Sequence, residues 1–401
     1  MIWHSIVTDW MSLIFRWLHI VAAIAWIGSS FYFIHLDLSL KPSGDLPEGV
    51  QGSAWQVHGG GFYRIVKYLM APQAMPDELT WFKWEAYTTW LSGIALMIVV
   101  YYLDADLFLI DKSNLDLSPL QAAAFSAASL VLAWVLYDTA CKTALARNEW
   151  RLALGGYLFL VGLTWTFTHV LSGRGALNQI GAIVGTIMVA NVFLVIIPNQ
   201  KKIVAALLAG KPPDPRLGQA SKLRSVHNNY LTLPVVALMM SNHYPLIFAT
   251  RYNWVIVAVL LLLGPVIRHF FNARHAGIKS PWWVWIVAAA GMIAIGWLST
   301  AGPPTLAVGA LPKTQPNFSE VEEIVLSRCS MCHAREPVWA SIATAPKAVL
   351  LDRPEQIQRN AKLIGRSAVW SIAMPPGNVT EMTGQERATI AAWLAAGAPG
   401  N

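Results

Sequence analysis

Residues 176–197 read ALNQIGAIVGTIMVANVFLVII, from Ala176 to Ile197 without a single Asp, Glu, Lys or Arg. At a rise of about 1.5 Å per residue, a helix of this length crosses the roughly 30 Å hydrocarbon core of a bilayer. Seven further apolar stretches flank it: Trp10–Leu38, Ala86–Leu103, Pro119–Ala140, Leu152–Leu171, Tyr230–Thr250, Trp254–Phe271 and Pro281–Thr300. The pattern predicts an all-α, polytopic transmembrane helix bundle of about eight spans over residues 1–300. Composition agrees, since 55% hydrophobic against 13% charged residues excludes an ordinary soluble protein. The 19 Trp residues suit membrane–water interfaces. Nothing in the chain resembles a nucleic-acid-binding module, and the partner expected for this surface is the lipid membrane.

Basic residues set the orientation. Segments 39–85, 141–151, 198–229 and 268–280 carry 4, 3, 6 and 3 Lys or Arg, 16 in all. The alternate segments 104–118, 172–175 and 250–253 carry one each, and the first nine residues none. Positive charge gathers on the cytoplasmic side, so both the N-terminus and the C-terminal region are expected outside the cytoplasm. The first apolar segment has no basic leader and no small-residue cleavage site, so a cleaved signal peptide is not expected.

After the last span, residues 301–317 form a Pro- and Gly-rich stretch that reads as an extended periplasmic tether. Residues 318–401 have the composition of a soluble domain. They contain Cys329-Ser330-Met331-Cys332-His333, the strongest chemical signal in the chain. Two thiols at this spacing form thioethers to haem vinyl groups, and the adjoining His333 ligates iron from one face. Haem is attached to this motif outside the cytoplasm, in agreement with the charge distribution. No second Cys pair exists to complete a zinc site; the third cysteine, Cys141, stands alone. Met374, 41 residues after His333 and followed by Pro375-Pro376-Gly377, is the expected sixth ligand, with Met382 and Met331 as competitors. Phe318, Val321, Ile324 and Val325 recur at helical spacing before the motif. A Thr383-x-x-Glu386 capping signature opens a final helix that carries Ile390, Trp393 and Leu394. The region predicts a class I-like cytochrome c domain with one covalent haem c.

Ionisable residues inside spans are costly and are functional candidates. By position along their spans, His19, His169 and His243 fall in the periplasmic half, and His35, His227 and His269 near cytoplasmic ends. His19 with His169 or His243 is the candidate ligand pair for a second, non-covalent haem b. The loop between the first two spans contains two β-prone runs around Gly59-Gly60-Gly61, which predict a hairpin.

Several long motifs occur in order: Arg16-Trp17-Leu18-His19, Trp26-Ile27-Gly28, Trp55-Gln56-Val57-His58-Gly59-Gly60-Gly61-Phe62-Tyr63, Lys83-Trp84-Glu85-Ala86-Tyr87, His227-Asn228-Asn229-Tyr230 and Ser241-Asn242-His243-Tyr244-Pro245. With the fused cytochrome, the chain resembles the bacterial membrane-bound urate hydroxylases, the cytochrome c-linked urate oxidases, over essentially its whole length. The resemblance implies a bacterial inner-membrane oxidoreductase of purine catabolism. It would hydroxylate urate to 5-hydroxyisourate and send electrons through the haem c to a soluble cytochrome c or terminal oxidase. Urate is a planar anion, and a site for it needs aromatic faces and Arg, Lys or amide donors. His58, Arg64, Lys67, His227 and Asn228 are the candidate catalytic residues, with Trp81 and Trp84 nearby. The alternatives are an oxidase of another small substrate on the same architecture, or a membrane-anchored cytochrome c electron carrier.

Overall fold

The structure is a computed structural model that describes residues 2–47, 49–69, 76, 78–302, 312, 315–339 and 341–400. Most of the expected tether lies outside the described residues. The rest is mostly helical.

The chain opens with α1, Ile2–Ser39, whose Trp10, Leu13, Trp17, Ile20 and Ile24 are exposed, as on a helix facing lipid. Next comes the expected hairpin, β1 (Val50–His58) and β2 (Gly61–Tyr68), antiparallel with His58 opposite Gly61. Its two-residue turn, Gly59-Gly60, holds φ of +58° and +81°, a left-handed conformation open to glycine. The hairpin is the only sheet among the described residues.

Helix α2 (Trp84–Leu96) runs into a π-helical turn, Met97–Tyr102, followed by the short α3 (Ala105–Phe108). Helix α4 (Pro119–Ala140) starts at a reciprocal capping box between Ser118 and Gln121, with Pro119 in the first turn where its missing N–H costs nothing. Asn148 caps α5 (Glu149–Val170) and Ser172 caps α6 (Gly173–Ala190). A second π-helical turn, Asn191–Ile196, joins α6 to α7 (Ile197–Leu208). Asp214 caps α8 (Pro215–Ser241), which leads to α9 (Pro245–Phe248), α10 (Asn253–His275) and α11 (Trp283–Ser299).

The core centres on α6, where Leu177, Ile180, Ile183 and Val184 are fully buried against residues of α4, α5, α8 and α10. Helices α8 and α10 meet at backbone distance, because a Cβ on Gly264 would lie 2.3 Å from Pro234 Cδ. Among the described residues five helices are long and apolar enough to cross a membrane: Ile6–Ser39, Pro119–Ala140, Glu149–Val170, Gly173–Leu208 and Asn253–His275. Trp283–Ser299 is a shorter apolar helix of 17 residues. The other two apolar stretches take different forms. Residues 86–103 split between α2 and its π turn. Residues 230–250 form the end of a longer helix whose first half is polar, and they break at residues 242–244 before α9.

The C-terminal unit has its own core of Phe318, Val321, Val325, Ile357, Ile364, Ile390 and Trp393. It comprises α12 (Phe318–Arg328), α13 (Ser330–His333), α14 (Pro354–Arg359), α15 (Ala361–Ile364) with a π turn to Val369, and α16 (Gly384–Ala395). The Thr383–Glu386 capping box expected from the sequence is present. The unit seats on the loops after α3 and α9. Ile372 N–H donates to Ala249 O at 3.4 Å, and Lys112 pairs with Glu381 at 3.7 Å. Gly377, at φ +54°, packs so closely on Ile110 that an added Cβ would meet its carbonyl oxygen at 2.1 Å.

Candidate functional site

Four groups of residues carry chemistry. The first is Cys329-x-x-Cys332-His333, at the junction of α12 and α13. His333 Nδ1–H donates to Val349 O at 2.9 Å, which fixes the ring and leaves the Nε2 lone pair for a metal. Of the competing methionines, Met382 is 3% exposed and packed into the core, whereas Met374 is 36% exposed. The Met374 loop is held by Arg387, which donates to Met374 O at 2.9 Å and also to Ala368 O and Asn378 Oδ1. Burial pushes the Cys329 thiol up to about 12 and raises Cys332 as well, the opposite of what a reactive thiolate needs. Protonated, adjacent thiols beside a tautomer-fixed histidine fit covalent haem attachment.

Second are the three histidines that the sequence offers for a haem b. His19, half-buried, turns to α2, where Nδ1–H donates to Thr89 O at 2.8 Å and Nε2 is left for a ligand. A Cβ at Gly93 would approach His19 Cε1 to 3.0 Å, so the glycine makes room for the ring. His169 is exposed, with its Nδ1–H donating to Trp165 O of its own helix at 2.6 Å, and His243 is exposed just beyond α8. Both are accessible, and the bond to Trp165 O leaves Nε2 of His169 free.

Third are the five catalytic candidates read from the sequence. His58 is exposed at the hairpin tip. Arg64 lies over the Trp55 ring and pairs with Asp45 at 2.6 Å, and Lys67 pairs with Asp37 at 2.7 Å. His227 and Asn228 belong to a closed network on one side of α8. Tyr137 Oη and His227 Nδ1 are 2.7 Å apart, Asn191 Nδ2 donates to Asn228 Oδ1 at 3.0 Å, and Asn228 Nδ2 donates to Met188 O at 2.9 Å. Buried Arg224 bonds Asp138 Oδ1 at 2.6 Å and lies over the Tyr137 ring. Asn191 opens the π turn after α6. An extra residue in one helical turn re-aims side chains in this way, and π turns favour functional sites.

The fourth group joins His35 and Asn229 to Phe31, Arg268, Asn272 and His275, which the sequence does not single out. On the other side of α8, Asn229 Oδ1 accepts from Arg268 Nε of α10 at 2.6 Å. Arg268 is 4% exposed and lies with its guanidinium carbon 3.7 Å from the centre of the Phe31 ring of α1. One turn beyond Phe31, His35 meets His275 edge to face, with ring centres 4.3 Å apart. Asn272 stands between Arg268 and His275 on their common stripe. Four buried atoms here have no hydrogen-bond partner: Arg268 Nη2, Asn272 Oδ1, His35 Nδ1 and His275 Nδ1. Each such atom costs about 1–3 kcal/mol, and more for a charged group. Among the described residues no carboxylate pairs with Arg268. Helical spacing could have shown Phe31 with His35, and Arg268 with Asn272 and His275, as two stripes; that they face each other is tertiary information.

Among known families, the sequence model described as urate oxidase N-terminal matches residues 5–299, from within α1 to the end of α11. No curated protein matches. No solved structure matches either.

Proposed function

Since this chain belongs to the urate oxidase N-terminal family, we propose that it is a membrane-bound oxidoreductase that converts urate to 5-hydroxyisourate and passes the electrons to the respiratory chain. Urate and water give 5-hydroxyisourate, two protons and two electrons. The observation that carries the reading is the fusion of this family's region to Cys329-x-x-Cys332-His333, with Nε2 of His333 left free. Cys329 and Cys332 would hold a haem c covalently, and His333 and Met374 would ligate its iron. When bound, that haem supplies a one-electron acceptor whose outlet is a soluble cytochrome c or a terminal oxidase. Arg387 fixes the loop that presents Met374.

On this reading the N-terminal region spans a bacterial inner membrane about eight times, with the cytochrome c domain in the periplasm. The shorter apolar pieces α2 with its π turn, the end of α8, and α11 complete the count begun by the five long helices. His19 with His169 or His243 would ligate a haem b in the outer half of the bilayer. A substrate oxidised near the cytoplasmic face lies about 30 Å from the periplasmic side, and a centre at that depth divides the path.

Anaerobic addition of urate to the purified oxidised protein tests the reading. Reduction of the haem, followed by its absorbance, is the expected result. No reduction by urate or any other purine would leave a membrane-anchored electron carrier.

A further inference from the structure

The α1–α8–α10 junction carries unmet demands that together describe a ligand. A buried arginine with no carboxylate partner calls for an anion, because an unpaired charge in a low-dielectric interior is strongly unfavourable. Arg268 has such a demand, with Nη2 free and its other face on Phe31. Asn272 Oδ1 is an acceptor awaiting an N–H, and His35 Nδ1 and His275 Nδ1 can each donate or accept. Unpartnered buried polar atoms are rare, and several converging in one place mark groups that complete their hydrogen bonds elsewhere.

We infer that this junction, formed by Phe31, His35, Asn229, Arg268, Asn272 and His275, binds the planar purine anion that the protein oxidises. The assignment rests on the urate-oxidising reading above. A purine anion matches the site in kind: its carbonyl oxygens and deprotonated nitrogen accept from Arg268, its ring N–H groups donate to Asn272, and its edge meets the two imidazoles. Asn229 acts as a positioning residue, since its Oδ1 holds Arg268 Nε and so aims Nη2. His35 and His275 are half-buried near helix ends. The basic segments place those ends on the cytoplasmic side, where a cytosolic substrate arrives. Four of the five catalytic candidates read from the sequence have partners already, and the fifth, His58, is exposed. Arg64 and Lys67 are paired with Asp45 and Asp37, and the Tyr137–His227–Asn191–Asn228 network closes on itself.

The test uses the full-length protein in detergent, with anaerobic equilibrium dialysis of labelled urate and, separately, haem reduction by urate. Asn272→Asp places a negative charge against the anion with little change of shape, and Arg268→Gln removes the cation. Asn272→Asp should weaken urate binding at least tenfold and Arg268→Gln at least a hundredfold, while dithionite still reduces the haem of both variants. If Arg268→Gln fails to fold, Asn272→Asp and His35→Asn carry the test alone. Variants that keep wild-type affinity, within twofold, overturn the site and leave the function standing. Wild-type protein that neither binds urate nor is reduced by it overturns the urate reading, and this assignment with it.

Discussion

Removing the thioether of Met374 deletes the expected sixth ligand without touching the attachment motif or the core around Met382. Met374→Ala should therefore keep the haem bound covalently but lower its reduction potential, since Met ligation raises it. A potentiometric titration that gives the wild-type value would exclude Met374 as a ligand. Arg387 supports the same loop from beneath. It is 3% exposed and donates to the carbonyls of Ala368 and Met374. Arg387→Leu strands both acceptors, and at about 1–3 kcal/mol for each the C-terminal unit should lose roughly 2–6 kcal/mol. Denaturant unfolding followed by haem absorbance measures this, and a loss below about 1 kcal/mol would show that water or a neighbour satisfies the carbonyls.

Between elements, the α4–α8 contact depends on the ion pair of Arg224 with Asp138, whose side chains are 4% and 9% exposed. Breaking one partner of a buried pair leaves the other charge uncompensated, at about 3–5 kcal/mol. Asp138→Asn should lower the thermal midpoint in detergent clearly, and Tyr137→Phe should cost about 1 kcal/mol. Equal midpoints for Asp138→Asn and wild type would mean the pair is solvated. Helix α8 also marks where reading the sequence by hydropathy stopped short. Hydropathy marks a span from Tyr230, yet the helix starts at Pro215 and its polar half buries Arg224, Asn228 and Asn229. Local signals were legible: the Gly59-Gly60 turn, the Thr383–Glu386 box and the attachment motif each depend on residues within a few positions. The junction of Phe31 and His35 with Arg268 and His275 was not. Its halves lie far apart in the chain, on the first and the tenth helix, and a histidine at a helix end reads as interfacial until its neighbour is known.

At the scale of the whole molecule, the charge asymmetry predicts sidedness. Ser113 and Lys211 are both exposed, so access depends on the membrane alone. In intact cells the Ser113→Cys variant should react with an impermeant thiol reagent at once, and Lys211→Cys only after permeabilisation. The reverse pattern would invert the proposed orientation. A pyridine haemochrome assay should show a haem b band beside that of haem c, with the former lost in His19→Ala. A wild-type spectrum of haem c alone would remove the outer-leaflet centre and bring the reacting site closer to the cytochrome. The contact of Gly377 with Ile110 has a kinetic meaning in either case. On the proposed function, a domain seated so tightly on its own chain would receive electrons in a unimolecular step, at a rate blind to dilution. Only the onward transfer would then depend on collision.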